Sequence, residues 1–387
     1  MGGSIMASTI NSDTSNGLIL TPDTTGEIEL QSAGTTQAKI TSSGLQNASG
    51  SAITSQAGRN LIINGDMRID QRNSGSAATV SSAYTVDRFK FQEGGGGGQV
   101  VSVQQVTDAP VGFSNSFKLT NTTASSSITA DAYNMFWQAV EGLNWSNLEW
   151  GTSDAKTVTI SFWVKASIAG NYSLAIRSST NDRSYLTPYS ISSASTWEYK
   201  TITIPGPTSG TFNTDNTKAI QVAFTNSMGS NYTSSGNDAW QSESKLGATG
   251  TQVALTNTIN STWQVTGVQL ETGTVATPFE NLQYTTQLQL CQRYYEKTVD
   301  SILQTTLGDT YATSSSPVPV INLAFKVVKR AAPTMATVGT FTTSNTTGGQ
   351  TIRGGENTFN VYYLAAGAGR AYFYPDANSG WSAESEL

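Results

Sequence analysis

The chain has no histidine among its 387 residues and a single cysteine, Cys291. Without histidine there is no imidazole general base, no Ser–His or Cys–His nucleophile pair and no His-ligated metal. One cysteine excludes an intrachain disulfide and a thiolate cluster. Charge is scarce as well: Asp, Glu, Lys and Arg make up 12% of the chain, against roughly 25% in an ordinary globular domain. The 21 Lys and Arg are scattered, the net charge is −6, and no basic tract stands ready to neutralise phosphates, so nucleic acid is not an expected partner. No apolar run approaches the roughly 18–20 residues needed to cross a bilayer, and residues 1–10 lack the basic start and apolar core of a secretory signal. Membrane insertion is not expected either. The catalytic chemistry left open is that of carboxylates, or none, and no cofactor is called for.

What replaces the missing charge is Ser, Thr, Asn and Gly, with 36 glycines in all. The first three compete with a helical backbone for its hydrogen bonds and favour turns. The apolar complement suits strands: 15 Tyr, 13 Phe and 8 Trp accompany many Val and Ile. Composition therefore predicts an all-β protein, with room for two or three domains.

Residues 1–45 form an N-terminal segment in which about Thr14 to Gly44 reads as a run of very short strands. Leu18–Leu20, Ile28–Leu30 and Ala38–Ile40 alternate apolar with polar residues, and Gly17, Gly26, Gly34 and Gly44 punctuate them. Each apolar face is too narrow to bury a core by itself. Several copies of the chain wrapped together would close the edges; a disordered leader is the alternative. Residues 46–59, rich in Ser, Ala and Gly, read as a linker. Residues 60–284 carry the pattern of a large β-sandwich. Val158, Ile160, Phe162 and Val164 share one face at period two, and Thr201–Ile204, Gln221–Phe224 and Val265–Leu270 supply further strands. Residues 285–297 predict one helix, with Leu288, Cys291 and Tyr295 at helical spacing, Leu290 and Tyr294 beside them, and Cys291 packed as a small hydrophobe. Residues 298–387 form a second β-unit. Ile321, Leu323, Phe325 and Val327 alternate, Ala371–Tyr374 makes a late aromatic strand, and Pro317, Pro319 and Pro333 mark edges and turns.

Five segments carry a resemblance. Asn60-Leu-Ile-Ile-Asn-Gly-Asp-Met-Arg-Ile-Asp-Gln-Arg72 with Tyr84-Thr-Val-Asp-Arg-Phe89 resembles the start of a β-jelly-roll domain of phage tail-fibre and other virion proteins. Val265-Thr-Gly-Val-Gln-Leu-Glu271, Ala276-Thr-Pro-Phe-Glu280 and Cys291-Gln-Arg-Tyr-Tyr-Glu296 resemble its end. Together they frame more than half of the chain. Leu18–Gly44 is similar to N-terminal attachment regions of fibre proteins from phages of marine bacteria and cyanobacteria, and Ala332-Pro-Thr334 to a short element of the downstream domain. The resemblance implies a jelly-roll like that of carbohydrate-binding modules, a homotrimer, and a place on the virion in a tail fibre, tail tip or head fibre. Other virion proteins would hold the N-terminal segment, and a host surface glycan would be the ligand. No catalytic residues come with it.

The motif residues also have a reading of their own. Asn64-Gly65 signals a hairpin-type turn. Asp66, Arg68, Asp70 and Arg72 alternate in sign, with Asp87-Arg88 following, and suit pairing across neighbouring strands. Phe279, after Pro278, is expected to bury its ring and end the domain. Gly94–Gly98 precedes a strand, Gln99–Val103, not a helix, so it reads as a hairpin loop and not a phosphate cradle. Asp13-Thr-Ser-Asn-Gly17 lacks the spacing of a calcium loop.

Two uses remain for the loop residues. Asp182, Asp215, Asp238 and Glu243 are the carboxylates a polysaccharide hydrolase would draw on, although loop Asp more often caps turns and the chain lacks β-helical coil repeats. Sugar binding has the better physical basis, since an aromatic ring offers a flat apolar face while Asn, Asp and Gln bond hydroxyls. Tyr232 and Trp240 stand beside Asn231, Asn237 and Asp238, and Tyr185 and Tyr189 beside Asp182 and Arg183. Tyr232, Trp240, Asp238, Tyr185 and Tyr189 are the candidate glycan contacts; burial in the core or an interface is the alternative for each, as for Tyr362, Tyr363 and Trp381.

Overall fold

A computed structural model describes residues 28–32, 35–41, 44–47, 58–95, 98–125, 127–250, 252–299, 308–315 and 321–387. The strand expected at Leu18–Leu20, the Asp13–Gly17 segment, most of the linker, and Pro317 and Pro319 lie outside them. The fold is mostly β, with several antiparallel sheets and one α-helix among the described residues.

The N-terminal strands β1 (Ile28–Ser32), β2 (Thr35–Thr41) and β3 (Gly44–Asn47) form a three-stranded antiparallel meander. Two sheets then make the sandwich. The six-stranded sheet takes β4 (Ala78–Thr79), β7 (Val100–Val106), β8 (Ser116–Thr123), β10 (Val158–Ala166), β13 (Glu198–Ile204) and β16 (Thr262–Thr272), in the order β13-β10-β16-β8-β7-β4. The seven-stranded sheet takes β5 (Ser82–Tyr84), β6 (Lys90–Gly94), β9 (Tyr133–Glu141), β11 (Gly170–Ser178), β12 (Ser184–Ile191), β14 (Lys218–Met228) and β15 (Trp240–Gln241), in the order β15-β12-β11-β14-β9-β6-β5.

Alternation drives the packing. Val158, Ile160, Phe162 and Val164 of β10 are fully buried between the sheets, while Trp163 and Lys165 are only half-buried. Phe117 of one sheet stacks on Phe136 of the other at 3.7 Å between ring centroids, and Phe89 stacks on Phe136 at 4.8 Å. Each such ring contributes about 1.5–3 kcal/mol by leaving water. The expected hairpin is not formed: β6 ends at Gly94 and β7 begins at Val100 in the other sheet.

The resembling motifs converge. Residues 60–77 are not strand but a turn-rich segment against β16, where Leu61 N donates to Leu270 O and Asn60 Oδ1 accepts from Leu270 N. Asn64-Gly65 makes a buried turn instead of a hairpin; the Asn64 amide binds Ile69 and Asp87 backbone groups, and a Cβ on Gly65 would lie 2.0 Å from Val268 O. Gly267 in β16 sits at φ +63 in a bulge that shifts the register between Ser161 and Trp163. The extra residue lets Val265 and Val268 both face the core, which strict alternation would forbid.

Helix α1 (Tyr284–Gln292) ends before Tyr294, and Tyr295 opens β17 (Tyr295–Val299), so the expected helix is shortened at its C-terminal end. Its faces are also reassigned. Cys291 is buried as expected, but Gln287 and Gln292 are buried with it while Leu290 is exposed. The C-terminal unit adds β18 (Gly308–Ala312), β19 (Ile321–Ala324), β20 (Thr334–Val338), β21 (Phe341–Ser344), β22 (Thr346–Gly354), β23 (Thr358–Ala365), β24 (Gly369–Pro375) and β25 (Gly380–Glu384). These pair as β17-β25-β20, β18-β24-β21 and β19-β23-β22 around Phe359, Tyr363, Phe373 and Trp381. Tyr363 and Trp381 are core residues, while Tyr362 on the other face of β23 is half-buried.

Candidate functional site

The five predicted glycan contacts divide by strand geometry. Tyr185 and Tyr189 occupy alternate positions on the inward face of β12. Tyr189 packs edge-on against Phe162 at 5.2 Å and accepts a 3.2 Å hydrogen bond from Trp263 Nε1. Complete enclosure pushes its phenol well above the ordinary range, and this residue serves the core. Tyr185 lies nearer the sheet edge, 5.7 Å from the Trp240 ring. Trp240 is half-buried against Trp150 at 5.2 Å, and its Nε1 donates to Pro205 O at 2.8 Å. Exposed Asp238 adjoins this pair in a left-handed conformation, φ 59, its N donating to Leu186 O. Burial first, and the Asp238 carboxylate second, raise the Tyr185 phenol. Tyr232 stands apart, edge-on to Tyr133 at 5.0 Å on the outer side of the seven-stranded sheet. The fold thus brings together Tyr185, Trp240 and Asp238 only.

Three of the four loop carboxylates are occupied in local turns. Asp182 accepts from the Ser178 and Thr180 hydroxyls at 2.6 and 2.7 Å, Asp215 from the Thr217 amide and hydroxyl, and Glu243 from the Ser235 hydroxyl. Hydroxyl hydrogen bonds hold the Asp182 and Asp215 carboxyls below the usual range. Among the described residues no group of three or more Asp, Glu or Cys is placed to hold a metal ion.

The most open aromatic surface of the sandwich is one that sequence reasoning passed over. On the outer face of the six-stranded sheet, Trp163 of β10 sits opposite Tyr199 of β13, ring centroids 5.3 Å apart, and Tyr199 is 44% exposed. Phe113 and Phe279 join them as an edge-to-face pair at 5.1 Å, and the whole encloses a pocket of about 230 Å³ with Ser161 and Pro278 on its walls. Phe279 therefore does not sink into the core as expected but lies against the sheet's exterior. Gly267 makes the space: a Cβ there would meet the Phe113 ring at 2.7 Å. The available signal was the outward phase of Trp163 in an alternating strand; Phe113 and Phe279 arrive from loops and gave none.

The motif charges hold the molecule together, with partners other than those expected. Asp66 pairs with Arg68 within one turn, and Asp70 caps the next through Asn73 N and Gly75 N. Arg72 and Arg88 reach across to the end of the described chain. Arg88 Nη1 binds Glu386, its Nη2 donates to Ala139 O at 2.8 Å, and its guanidinium lies 3.5 Å from the Tyr294 ring centre. Arg72 is 3.3 Å from Glu386 and 3.7 Å from Asp87. Arg293 grips Glu141 with two hydrogen bonds of 3.0 and 2.6 Å, and Lys329 pairs with Glu296 at 2.5 Å. Arg72, Arg88 and the Arg293–Glu141 pair join the sandwich and its motif to the helix and the C-terminal unit, and Lys329 ties that unit to β17.

Asp87 gives this network a pH signature. Burial raises its carboxyl to about 7, with Arg72 and the Gln71 hydrogen bonds opposing. The folded state therefore favours the protonated form, so Asp87's contribution to stability is complete below about pH 4 and is lost as pH rises through about 7. Asp87→Asn is expected to remove a decline on the order of 3 kcal/mol across that window. Denaturant melts of both proteins at pH 4.5, 6 and 7.5 check this; parallel slopes would contradict it.

The molecule is thus a two-sheet antiparallel β-sandwich joined to a second β-unit, with aromatic rings open on one outer sheet face. No protein-family model and no curated protein matches the chain. Among solved structures it is similar to the enzymatically active domain of bacteriophage CBA120 tailspike protein 4, at 14% identity and a TM-score of 0.30, over 56% of this chain and 22% of that one. It is also similar to a family 11 carbohydrate-binding module of a Clostridium thermocellum cellulosomal cellulase (17% identity, TM-score 0.26, 52% of this chain and 98% of that one). A third similar structure is a putative sugar binding protein from Bacteroides thetaiotaomicron (12% identity, TM-score 0.32, 55% of this chain and 100% of that one). The chain spans about a fifth of the length of the tailspike domain.

Proposed function

We propose that the chain is a structural, non-enzymatic subunit of a bacteriophage virion fibre, a tail fibre or fibre tip. In this reading it works as a homotrimer, held to other virion proteins through its N-terminal segment, and its sandwich recognises a host surface glycan. The observation that carries the reading is the open apolar face of the β1–β3 sheet. Ile28 pairs with Ile40 and Leu30 with Ala38, placing these side chains on one side, yet Leu30 is 45% and Ile40 40% exposed. No side chain described in this sheet belongs to a buried hydrophobic cluster. Covering two such residues recovers only about 1–3 kcal/mol per chain, so three copies closing on one another give a seam that one copy lacks. Surface aromatic rings beside hydrogen-bonding side chains support the glycan part, and the engagement of Asp182, Asp215 and Glu243 in turns supports the absence of hydrolysis.

Sedimentation velocity tests the assembly. The expected species is a trimer, and Leu30→Asp combined with Ile40→Asp is expected to shift it to monomer without altering the sandwich. A wild-type chain that sediments as a monomer at every concentration would remove the basis of this reading.

A further inference from the structure

The pocket on the six-stranded sheet is one end of a longer surface. Trp197 lies just outside β13, one residue before the strand begins at Glu198. Lys165, next outward residue after Trp163 on β10, lies 4.9 Å from the Trp197 ring centre and binds the Asp108 carboxylate. Trp197 Nε1 reaches Asp108 at 3.4 Å, and Gln264 Nε2 donates to the same carboxylate at 3.1 Å. On the other side of the Trp163–Tyr199 rung stand the hydroxyls of Ser161 and Thr201, paired across β10 and β13. The Trp163–Tyr199 rung thus stands between the Ser161–Thr201 hydroxyls on one side and the Lys165–Asp108–Gln264 cluster with the Trp197 ring on the other.

We infer that this surface is an oligosaccharide-binding site for neutral, pyranose-based glycans at least two sugars long. The inference rests on the proposal that the sandwich recognises a glycan, and it gives that activity a location and a ligand class. Flat rings take the C–H faces of sugar rings, while Ser161, Thr201, Asp108 and Lys165 exchange hydrogen bonds with hydroxyls. The Trp163–Tyr199 rung with the Trp197 ring beyond it offers aromatic surface for more than one sugar ring. The ligand is neutral because the surface has no net positive charge to offer: Lys165 is committed to Asp108, whose exposed carboxylate would repel an acidic or sulfated sugar. The Lys165 hydrogen bond holds that carboxyl below its ordinary range, so it stays ionised at neutral pH. Shape favours a small ligand over a protein partner: the rings frame a pocket of about 230 Å³ in which only Tyr199, at 44%, is an exposed large hydrophobic side chain, whereas a stable protein contact needs a broad surface of roughly 1,200–2,000 Å².

The test uses the full chain on an array of bacterial surface oligosaccharides, neutral and acidic, one to six sugars long, with Trp163→Ala, Tyr199→Ala and Trp240→Ala beside the wild type. Tyr199 lies on an edge strand, so its variant should keep the fold, as circular dichroism will show. Expected is binding to neutral oligomers and not to monosaccharides, reduced at least about tenfold by Trp163→Ala and by Tyr199→Ala but retained by Trp240→Ala. Binding that survives both Trp163→Ala and Tyr199→Ala and is lost in Trp240→Ala would overturn this site while leaving glycan recognition standing. A preference for acidic sugars would overturn the ligand class. A wild type that binds nothing on the array would overturn the glycan reading and this site with it. Loss of the trimer in Trp163→Ala and Tyr199→Ala would make the surface a contact between copies.

Discussion

Arg88→Ala is expected to destabilise the protein by about 3–5 kcal/mol, because it breaks a buried ion pair. Arg88 and Glu386 side chains are 1% and 3% exposed, so neither charge can be rescued by water when the other is removed. Deleting Arg88 strips Glu386 of its direct partner, empties the space over the Tyr294 ring, and frees Ala139 O. Arg72, 3.3 Å from Glu386, limits the loss but already serves Asp87. Glu386→Gln should cost less, because its amide still accepts from Arg88 while the guanidinium keeps its ring and carbonyl contacts. A double-mutant cycle in urea isolates the pair. Additive losses from the two single variants would mean that the contact carries no coupling energy, and the account of the junction would fail. The same variant should also loosen the C-terminal unit, since Arg330 holds Ser385 O and Glu386 O against Asn216, and Tyr84 Oη donates to Leu387 O.

Removing residues 1–57 is expected to abolish incorporation into particles while leaving the sandwich folded. The cut belongs there and not at Asn60, because Gly58 N and Asn60 N both donate to the Glu280 carboxylate, at 2.6 and 2.9 Å. Glu280 N in turn donates to Gln269 Oε1, so these first residues fasten the segment after β16 to its strand. A protein beginning at Gly58 should keep its melting midpoint, and one beginning at Leu61 should lose about 1–3 kcal/mol through the unpaired carboxylate and amides. Particle composition by immunoblot reads the first outcome and thermal denaturation the second. Normal incorporation of the shortened chain would place the attachment role elsewhere.

Most of the strand framework was legible because side-chain direction on a strand depends only on the parity of position. Val158–Val164 announced both their own burial and the outward direction of Trp163. Parity failed where the backbone broke it. At Gly267 an inserted residue resets the phase, and at α1 the buried face is glutamine and cysteine, chosen by what lies beneath the helix and not by hydrophobic spacing. The candidate site was less legible. Tyr185 and Tyr189 looked like loop neighbours of Asp182 but are inward strand residues, since the loop ends one residue before β12 begins at Ser184.

By itself, then, the sequence determined the all-β class, the absence of histidine, intrachain-disulfide and thiolate-cluster chemistry, the two-faced strands of the sandwich and the helix near Cys291. These follow from residue type and spacings of a few positions. Only the tertiary structure decided that Arg88 answers Glu386 across almost 300 positions, and that rings from β10, β13 and two loops meet in one surface. Coulomb and stacking partners are chosen by distance in space, and chain topology, not local periodicity, sets that distance.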